Sequence, residues 1–563
     1  MTFTGADLII HLLEQQGVRI VAGIPGGALL PLYEALGRST KLLHILARHE
    51  QAAGFIAQGM ARITQRAGVC FATSGPGVTN IITAIADAKL DSIPLVCIAG
   101  QVPQQLIGTD AFQEVPTTAM VSPVTKACFL VRDANELWDL IPEAFRIAES
   151  GRPGPVLIDV PKDVQFQRCT APALHAAPET REQIPATATP STNTSHFDTA
   201  WQMIEAAQRP VLYIGGGVVK ARAHHLLREL AELIQAPVTT TLMALGALPT
   251  DHPLSMGMLG MHGARFTNHV IDECDLLISI GARFDDRATG RTDRFASQAQ
   301  VIHIDIDPRE FGKIRKPTLA IESDAGGALN ELIARAHYQH RPQWLARIRA
   351  LRQSHPLRTP GIEKVCSPYG IIRAVGAVAP VDAIVTTDVG QHQMWVAQAY
   401  PFQRPDRWLT SGGLGTMGFG LPAAIGAALV RPDATVICFT GDGSLLMNIQ
   451  ELATLSELGL KVKIVLLDNA ALGLVRQQQT LFYGKRLVAS QFNQPGDFVA
   501  IARAFGIPAI DLESCPAPHG TLARALHGEG PMLIRVPIAA DEHVLPMVAP
   551  GKANVEALDH QEG

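Results

Sequence analysis

The chain has 563 residues, of which 47% are hydrophobic and 18% charged, and its formal net charge is −5. That length allows roughly three or four domains, and the composition is that of a globular protein with large cores. No basic run stands out, which sets nucleic acid and anionic membranes aside as main partners, and no stretch reaches the ~18 uninterrupted apolar residues of a membrane span.

In chain order, the first predicted element is an amphipathic helix within residues 1–17. Thr4 and Asp7 form a capping box, Leu8/Leu12 and Ile9/Leu13 make the apolar face, and Gly17 ends it. The segment lacks the basic start and long apolar core of a signal peptide. Residues 69–72 read as a strand that leads through Ser74-Gly75-Pro76-Gly77 into a helix reaching Ala88, and 94–98 as a second buried strand. Residues 170–197, rich in Pro, Ala and Thr, read as a linker. In the middle block, strands at 211–214, 276–280 and 301–305 run into Gly215-Gly216-Gly217, Gly281 and Asp305. A second linker covers 352–369. Beyond it, strands at 383–387, 435–439 and 462–467 follow, with Asp388 marking the end of the first. The eight cysteines are scattered with no C-x-x-C pair, the usage of reduced thiols in a cytoplasmic protein.

Continuous apolar strands separated by helices imply parallel sheets covered on both faces. The predicted fold is α/β: three doubly wound parallel-sheet domains at 1–169, 198–351 and 370–541, and a tail at 542–563.

One pattern carries chemistry. The strand at 435–439 runs into Gly441-Asp442-Gly443-Ser444, and the strand at 462–467 delivers Asp468-Asn469. Glycines let backbone amides approach phosphate oxygens, and a following helix offers its N-terminus to the anion. Asp442, the Asn469 amide oxygen and a nearby main-chain carbonyl, Ala471, suit Mg²⁺, which takes a few protein oxygens beside those of a diphosphate. Gly413-Leu414-Gly415-Thr416-Met417-Gly418 also fits the dinucleotide fingerprint, but no acidic residue stands at the end of a strand about 20 positions on. No G-x-x-x-x-G-K-[ST] occurs.

The Gly441–Asn469 pattern resembles the diphosphate-and-metal motif of thiamine diphosphate enzymes. Arg48-His49-Glu50-Gln51 supplies the carboxylate such a cofactor needs. Over essentially its whole length the chain resembles the catalytic large subunits of acetohydroxyacid synthase, also called acetolactate synthase, most of all the enterobacterial isozyme I form. The segments that carry the likeness are RHEQAAGF from Arg48, TSGPGVTN from Thr73, GTDAFQEV from Gly108, GRPGPVLIDVPKD from Gly151, GMLGMHG from Gly257, GARFDDR from Gly281, DVGQHQMW from Asp388, SGGLGTMGFGLPAA from Ser411 and VLPMVAPGKAN from Val544. The motif usually ends in two asparagines; here the first is Asp468.

The resemblance implies decarboxylation of pyruvate on thiamine diphosphate. The two-carbon unit passes to pyruvate, giving 2-acetolactate, or to 2-oxobutanoate, giving 2-aceto-2-hydroxybutanoate, for valine, leucine and isoleucine synthesis. A relative that oxidises or merely decarboxylates pyruvate is the alternative. By the same resemblance the first domain binds the pyrimidine end and the third the diphosphate, at a site between two subunits of a homodimer. Glu50 partners the pyrimidine ring, and Met417 props the cofactor into a bent shape. Phe112, Gln113 and Lys126 lie near the substrate and cofactor entrance. Gly26, Gly27 and Ala28 wall the reacting carbon. Gln391, His392, Gly415, Gly441, Asp442, Gly443, Ser444, Met447, Asn469 and Gly473 surround the cofactor, with Asp442, Asn469 and Ala471 on the metal. FAD, structural rather than redox-active, is implied at Gly215, Gly216, Leu259, His262, Gly281, Arg283, Asp285, Arg287, Asp305 and Asp324 of the middle domain, joined by Arg152. Gln478 stands where most relatives carry tryptophan. A separate small regulatory subunit is implied as a partner.

Overall fold

The computed structural model describes residues 2–170, 194–494 and 496–559. Most of the predicted linker 170–197 lies outside them. The chain opens with β1 (Thr2–Thr4) and the predicted helix, Gly5–Gln15. Asp7 N donates to Thr4 Oγ1 and Thr4 N to Asp7 Oδ2, each at 3.1 Å, so the capping box forms. Six strands follow: β2 (Ile20–Gly23), β3 (Leu43–Leu46), β4 (Gly68–Ala72), β5 (Leu95–Gln101), β6 (Ala127–Leu130) and β7 (Pro155–Pro161). β8 (Arg168–Thr170) then returns antiparallel to β1. The middle domain holds β9 (Pro210–Ile214), β10 (Val238–Thr240), β11 (Ser255–Met258), β12 (Leu276–Ile280), β13 (Gln300–Asp305) and β14 (Leu319–Glu322). The third holds β15 (Ile384–Thr387), β16 (Trp408–Leu409), β17 (Val436–Gly441), β18 (Val462–Asp468), β19 (Ala509–Asp511) and β20 (Met532–Pro537).

The three six-stranded sheets have the orders β3-β2-β4-β5-β7-β6, β11-β10-β9-β12-β13-β14 and β16-β15-β17-β18-β20-β19. Every neighbouring pair within them is parallel. The physical cause is visible in β4, β5, β7, β17 and β18, where every residue is buried. Strands apolar on both faces need helices on both faces, and right-handed crossovers supply them. The chain is thus three doubly wound α/β domains.

In each sheet the winding switches sides between two neighbours, β2 and β4, β9 and β12, or β15 and β17; in the first and third sheets the last two strands are also transposed, as β7-β6 and β20-β19. Loops leaving the carboxyl ends of two such strands part in opposite directions and open a crevice, where doubly wound sheets bind ligands.

The first and third domains meet through helices Glu50–Thr64 and Gly420–Val430. Their backbones nearly touch. A Cβ on Gly59 would lie 2.2 Å from the Ala423 carbonyl oxygen, and one on Gly426 would lie 2.0 Å from that of Ile56.

The predicted linker 352–369 is narrower than read. Helix Pro342–Ser354 enters it and helix Pro368–Val378 begins inside it. The described part of the tail is bound to the second and third domains: Val548 N donates to Met261 O at 3.0 Å and Asn554 Nδ2 to Ala288 O at 2.8 Å in the second, and Gln477 Nε2 of the third donates to Val544 O at 2.9 Å. Among the described residues no helix is long and apolar enough to cross a membrane, and all eight cysteines are free.

Candidate active site

The third domain's crevice is lined by the turns after β15 and β17. β17 carries the chain to Gly441, and Asp442 opens the short helix Asp442–Met447. Asp442 is buried, and its two oxygens accept Gly443 N at 2.9 Å and Ala471 N at 3.0 Å. Burial pushes its carboxyl up to about 7 against those donors, and neighbouring Asp468 adds to the rise. A cation there would relieve that cost. Asn469 closes the same turn: its Oδ1 accepts Ala471 N at 3.2 Å, while Ala470 between them is left-handed, at φ 52°. A non-glycine residue held so is the kind of local strain that functional turns store. Asp442 and Asn469 thus both accept the Ala471 N–H, which brings the three residues into one turn.

From the opposite side, the helix after β15 brings Gln391 and His392. Gln391 Oε1 accepts Asn469 Nδ2 at 3.1 Å, and its own Nε2 donates to Gln477 Oε1 at 2.9 Å and Glu542 O at 2.8 Å. His392 packs against Gly441, and its buried Nε2 has no partner among the described residues. Burial drives its ring down to about 3, so it is neutral. Ser444 Oγ donates to Val389 O at 2.6 Å, tying the two turns together. Gly473 lies against Gln391 and Gly443 against Leu472, while Met447, half exposed, lies against Gly418.

Three contributors here were not recognised from sequence. Asp388 was read only as a strand end. It is buried and accepts Gly418 N at 2.7 Å and Gly420 N at 3.2 Å, which fixes the segment beyond Met417. Gln477 accepts Val544 N at 2.8 Å and donates to Val544 O at 2.9 Å, so the tail closes onto the Gln391 network. Arg535 Nε donates to Asp468 Oδ2 at 2.7 Å and its Nη1 to Asp511 Oδ2 at 2.6 Å. An acid at a strand end was the one visible signal; the other two contacts span 67 residues each.

In the first domain, Glu50 is the first residue of helix Glu50–Thr64, with His49 as N-cap. It is 9% exposed, and its Oε2 accepts Asn80 Nδ2 at 3.0 Å. No hydrogen bond or ion pair joins Glu50 to the Asp442 turn among the described residues. Gly26, Gly27 and Ala28 follow β2, and Thr73 and Gly75 follow β4, so they flank that sheet's crevice. Gln113 is left-handed, at φ 61°, and sits directly over Gly75. Glu114 shapes its loop by accepting the N–H groups of Gly108, Thr109 and Ala111. Phe112 is 88% exposed.

Lys126 corrects the sequence reading. It precedes β6, at the amino edge of the sheet, whereas the crevice opens at the carboxyl edge. Its Nζ donates to the carbonyls of Ile147 and Ser150, the latter at 2.7 Å. Burial holds this ammonium down at about 8. It finishes a helix end.

In the middle domain, Gly215, Gly281 and Asp305 end the adjacent strands β9, β12 and β13. A Cβ on Gly215 would lie 2.1 Å from Gly281 O, so only glycine lets the two turns close. Asp305 is buried, pushed up to about 6 by that burial, and accepts Asp307 N at 2.9 Å. Arg152 reaches over from the first domain, donating to Asp307 Oδ2 at 3.2 Å and Glu310 Oε1 at 2.7 Å. Leu259 and His262 are buried nearby, with His262 Nδ1 3.0 Å from Pro546 O. Gly216 opens the turn's helix, Arg283 follows Gly281, and the Arg287 side chain is 70% exposed. Asp285 and Asp324 serve as N-caps, accepting Arg287 N at 3.0 Å and Gly326 N at 2.9 Å.

Comparison with known proteins meets this geometry domain by domain. The family model of the thiamine pyrophosphate enzyme N-terminal TPP binding domain matches residues 3–120, the central domain 197–332, and the C-terminal TPP binding domain 388–536. The acetolactate synthase isozyme 1 large subunit of Escherichia coli (strain K12) is 56% identical over 562 residues, 99% of this chain and 98% of that protein. The acetolactate synthase large subunit of Parasynechococcus marenigrum (strain WH8102) is 47% identical, covering 99% of this chain and 91% of the relative. The isozyme 2 large subunit of Escherichia coli (strain K12) is 46% identical over 99% of both chains. The chain belongs to the acetolactate synthase large subunits, within the thiamine pyrophosphate enzymes.

Proposed function

We propose that this chain catalyses acetolactate synthesis. One pyruvate loses carbon dioxide and its remaining two carbons join the keto carbon of a second pyruvate, giving 2-acetolactate, or of 2-oxobutanoate, giving 2-aceto-2-hydroxybutanoate. The observation that carries the reading is the crevice between β15 and β17, where Asp442 and Asn469 both accept the Ala471 N–H and the helix after β15 brings His392, whose buried Nε2 has no partner among the described residues. That donor set suits Mg²⁺ and a diphosphate. Thiamine diphosphate, when bound, supplies the electron sink that decarboxylation of a 2-keto acid needs.

The chain's own residues do the rest. Asp442, Asn469 and Ala471 hold the metal, and Gly441, Gly443, Ser444, Gln391, His392 and Gly473 cradle the diphosphate. Gly415, Met417 and Met447 support the cofactor's body. Glu50 holds or releases a proton at the carboxyl facing the pyrimidine ring. Gly27 walls the reacting carbon, and Phe112 and Gln113 narrow its approach and keep out water, whose proton would divert the product to acetaldehyde. The turns at Gly215, Gly281 and Asp305, with Arg152, Gly216, Leu259, His262, Arg283, Asp285, Arg287 and Asp324 around them, suit the phosphates and ribose of FAD. The flavin is held as structure, with no net redox change.

A homodimer completes the site, Glu50 coming from one copy and Asp442 from the other. Support comes from Phe112, Leu30 and Met447, apolar and 88%, 55% and 51% exposed. A small regulatory subunit raises activity and confers inhibition by branched-chain amino acids, in the cytoplasm. The test is acetolactate formation from pyruvate with thiamine diphosphate, Mg²⁺ and FAD omitted in turn. No product with all three present would overturn the reading. Reduction of FAD by pyruvate would favour an oxidase. Full, valine-sensitive activity of the chain alone would remove the regulatory partner.

A further inference from the structure

The loop at residues 410–416, which delivers Gly415 and Met417, is held from outside its own domain. Ser411 Oγ and Thr416 Oγ1 both donate to Asp87 Oδ1, the second at 3.2 Å. Gly412 N donates to Asp91 Oδ2 at 3.1 Å and Gly413 N to Asp91 Oδ1 at 2.7 Å. The two acids stand four positions apart, on helix Pro76–Leu90 of the first domain and at its C-cap. Arg62, from helix Glu50–Thr64, closes the group. Its Nη2 donates to Asp91 Oδ2 at 2.8 Å and Asp87 Oδ2 at 3.4 Å, and its Nη1 to Thr410 O at 3.0 Å. Inside the loop, Thr416 N donates to Ser411 Oγ at 2.8 Å. Gln393 Nε2 adds a bond to Ser411 O at 3.1 Å from within the third domain.

Asp87 and Asp91 are 0% and 5% exposed. Two buried carboxylates four residues apart repel one another, and burying them is costly unless they are paired and hydrogen-bonded. A cross-domain adhesive could have been apolar, and the helix contact at Gly59 and Gly426 already provides one. Among the described residues, every side-chain oxygen bond of the two acids goes to Arg62 or to the loop. Asp91 presents one oxygen to each of two successive backbone amides, which fixes the path of the chain as an apolar contact cannot. The loop beyond that point, at Leu414 and Gly415, is exposed, and nothing lies within 4 Å of a Cβ built on Gly415.

We propose that Asp87 and Asp91 are positioning residues, a carboxylate clasp that sets loop 410–416 and with it the stand of Gly415 and Met417 against thiamine diphosphate. The clasp rests on the cofactor reading above. It also gives the first domain a second duty: one end of it offers Glu50 to a site, while the helix carrying Asp87 aligns the cofactor loop of the same chain.

The experiment compares Asp91→Asn and Ser411→Ala in the full chain. An amide at 91 turns one acceptor into a donor facing a backbone N–H; Ser411→Ala removes one hydroxyl and leaves the acids in place. Thiamine diphosphate affinity is read by quenching of tryptophan fluorescence at saturating Mg²⁺, with FAD content measured in parallel. The dissociation constant should rise about tenfold for Asp91→Asn and about threefold for Ser411→Ala, as loss of charged hydrogen bonds predicts, with FAD content unchanged. At saturating cofactor kcat should fall while KM for pyruvate holds. In a Met417→Ala background, Asp91→Asn should cost less than about twofold more, because both changes act on one property and couple. Unchanged affinity and kcat in folded variants, or full additivity with Met417→Ala, would overturn the clasp. If Asp91→Asn does not fold, Ser411→Ala and Thr416→Val decide alone. Asp442→Ala serves as control: if it too leaves binding intact, the cofactor reading falls, whereas intact binding in the clasp variants alone removes only the clasp.

Discussion

The carboxylate of Asp468 receives the guanidinium Nε of Arg535 at 2.7 Å. An acid therefore stands where the family motif has an amide, and it stands there with a counter-ion. Arg535 also holds Asp511 at 2.6 Å, so the turn before Asn469 is braced from the sheet edge.

Asp468→Asn should accordingly be tolerated, with kcat within about threefold, since Arg535 keeps Asp511 and the amide still accepts a hydrogen bond. Asp442→Ala should abolish Mg²⁺-dependent cofactor binding, because it removes the carboxylate at the centre of the turn. Arg535→Ala should destabilise the fold by about 2–3 kcal/mol, below a fully buried pair because the arginine is partly exposed. Mg²⁺ titrations and urea melts read all three. A dead Asp468→Asn beside an active Asp442→Ala would mean that the ligands are reversed.

Glu50→Gln should retain fold and FAD and lose about 10²–10⁴-fold in kcat, the usual worth of a positioned acid–base group. The amide keeps the Asn80 contact but can no longer release a proton. Steady-state rates within a few-fold of the parent would refute the role.

Asp159 makes stability depend on pH. It is buried, accepts Gln101 Nε2 at 3.2 Å, and burial raises its carboxyl from 3.8 to about 7. The folded state binds this proton more tightly than the unfolded chain does. Its contribution is therefore full below the ordinary carboxylate range and is lost as pH rises through about 7. Asp159→Asn should shrink the difference in Tm between pH 5 and pH 8, gaining most at pH 8. An unchanged pH slope would show that the group is not responsible.

Gln478 lies half-buried on helix Gly473–Phe482, next to the Gln477 that ties down the tail. Glutamine offers less apolar contact than indole to the extra methyl of 2-oxobutanoate, and one methylene is worth roughly 10–200-fold. Weak discrimination between the two acceptors is expected, and Gln478→Trp should raise the preference for 2-oxobutanoate. Competition between the keto acids, read as the product ratio, decides. A parent preference of about fifty-fold or more would rule this out.

Local pattern carried much of this molecule. The Thr4–Asp7 box, the buried strands and the Gly441–Asn469 turn are short-range features, and each stands near where the sequence places it. β17 runs on to Gly441 because that residue still pairs with Leu467. Long-range contacts were hidden. Helix Pro342–Ser354 extends into a stretch read as linker, where Arg352 donates to Ser255 O at 2.8 Å and lies over the Phe266 ring. Lys126 was misplaced because sequence does not say at which edge of a sheet a residue falls. The tail was bounded from sequence but its anchoring was not legible, because Gln477 and Val544 meet only in three dimensions.

Gly59 and Gly426 leave no room between the helices that join the first and third domains. A joint with backbone against backbone has no lubricating layer of side chains at those two points, which resists sliding. The two domains of one chain behave as a single casting. Opening for substrate and release of product must then come from parts hung on that casting: the Gln113 loop, the tail clipped by Gln477, or the seam between copies. Even one methyl group, at Gly59→Ala, would prise the casting apart and misalign distant sites together, far out of proportion to its size.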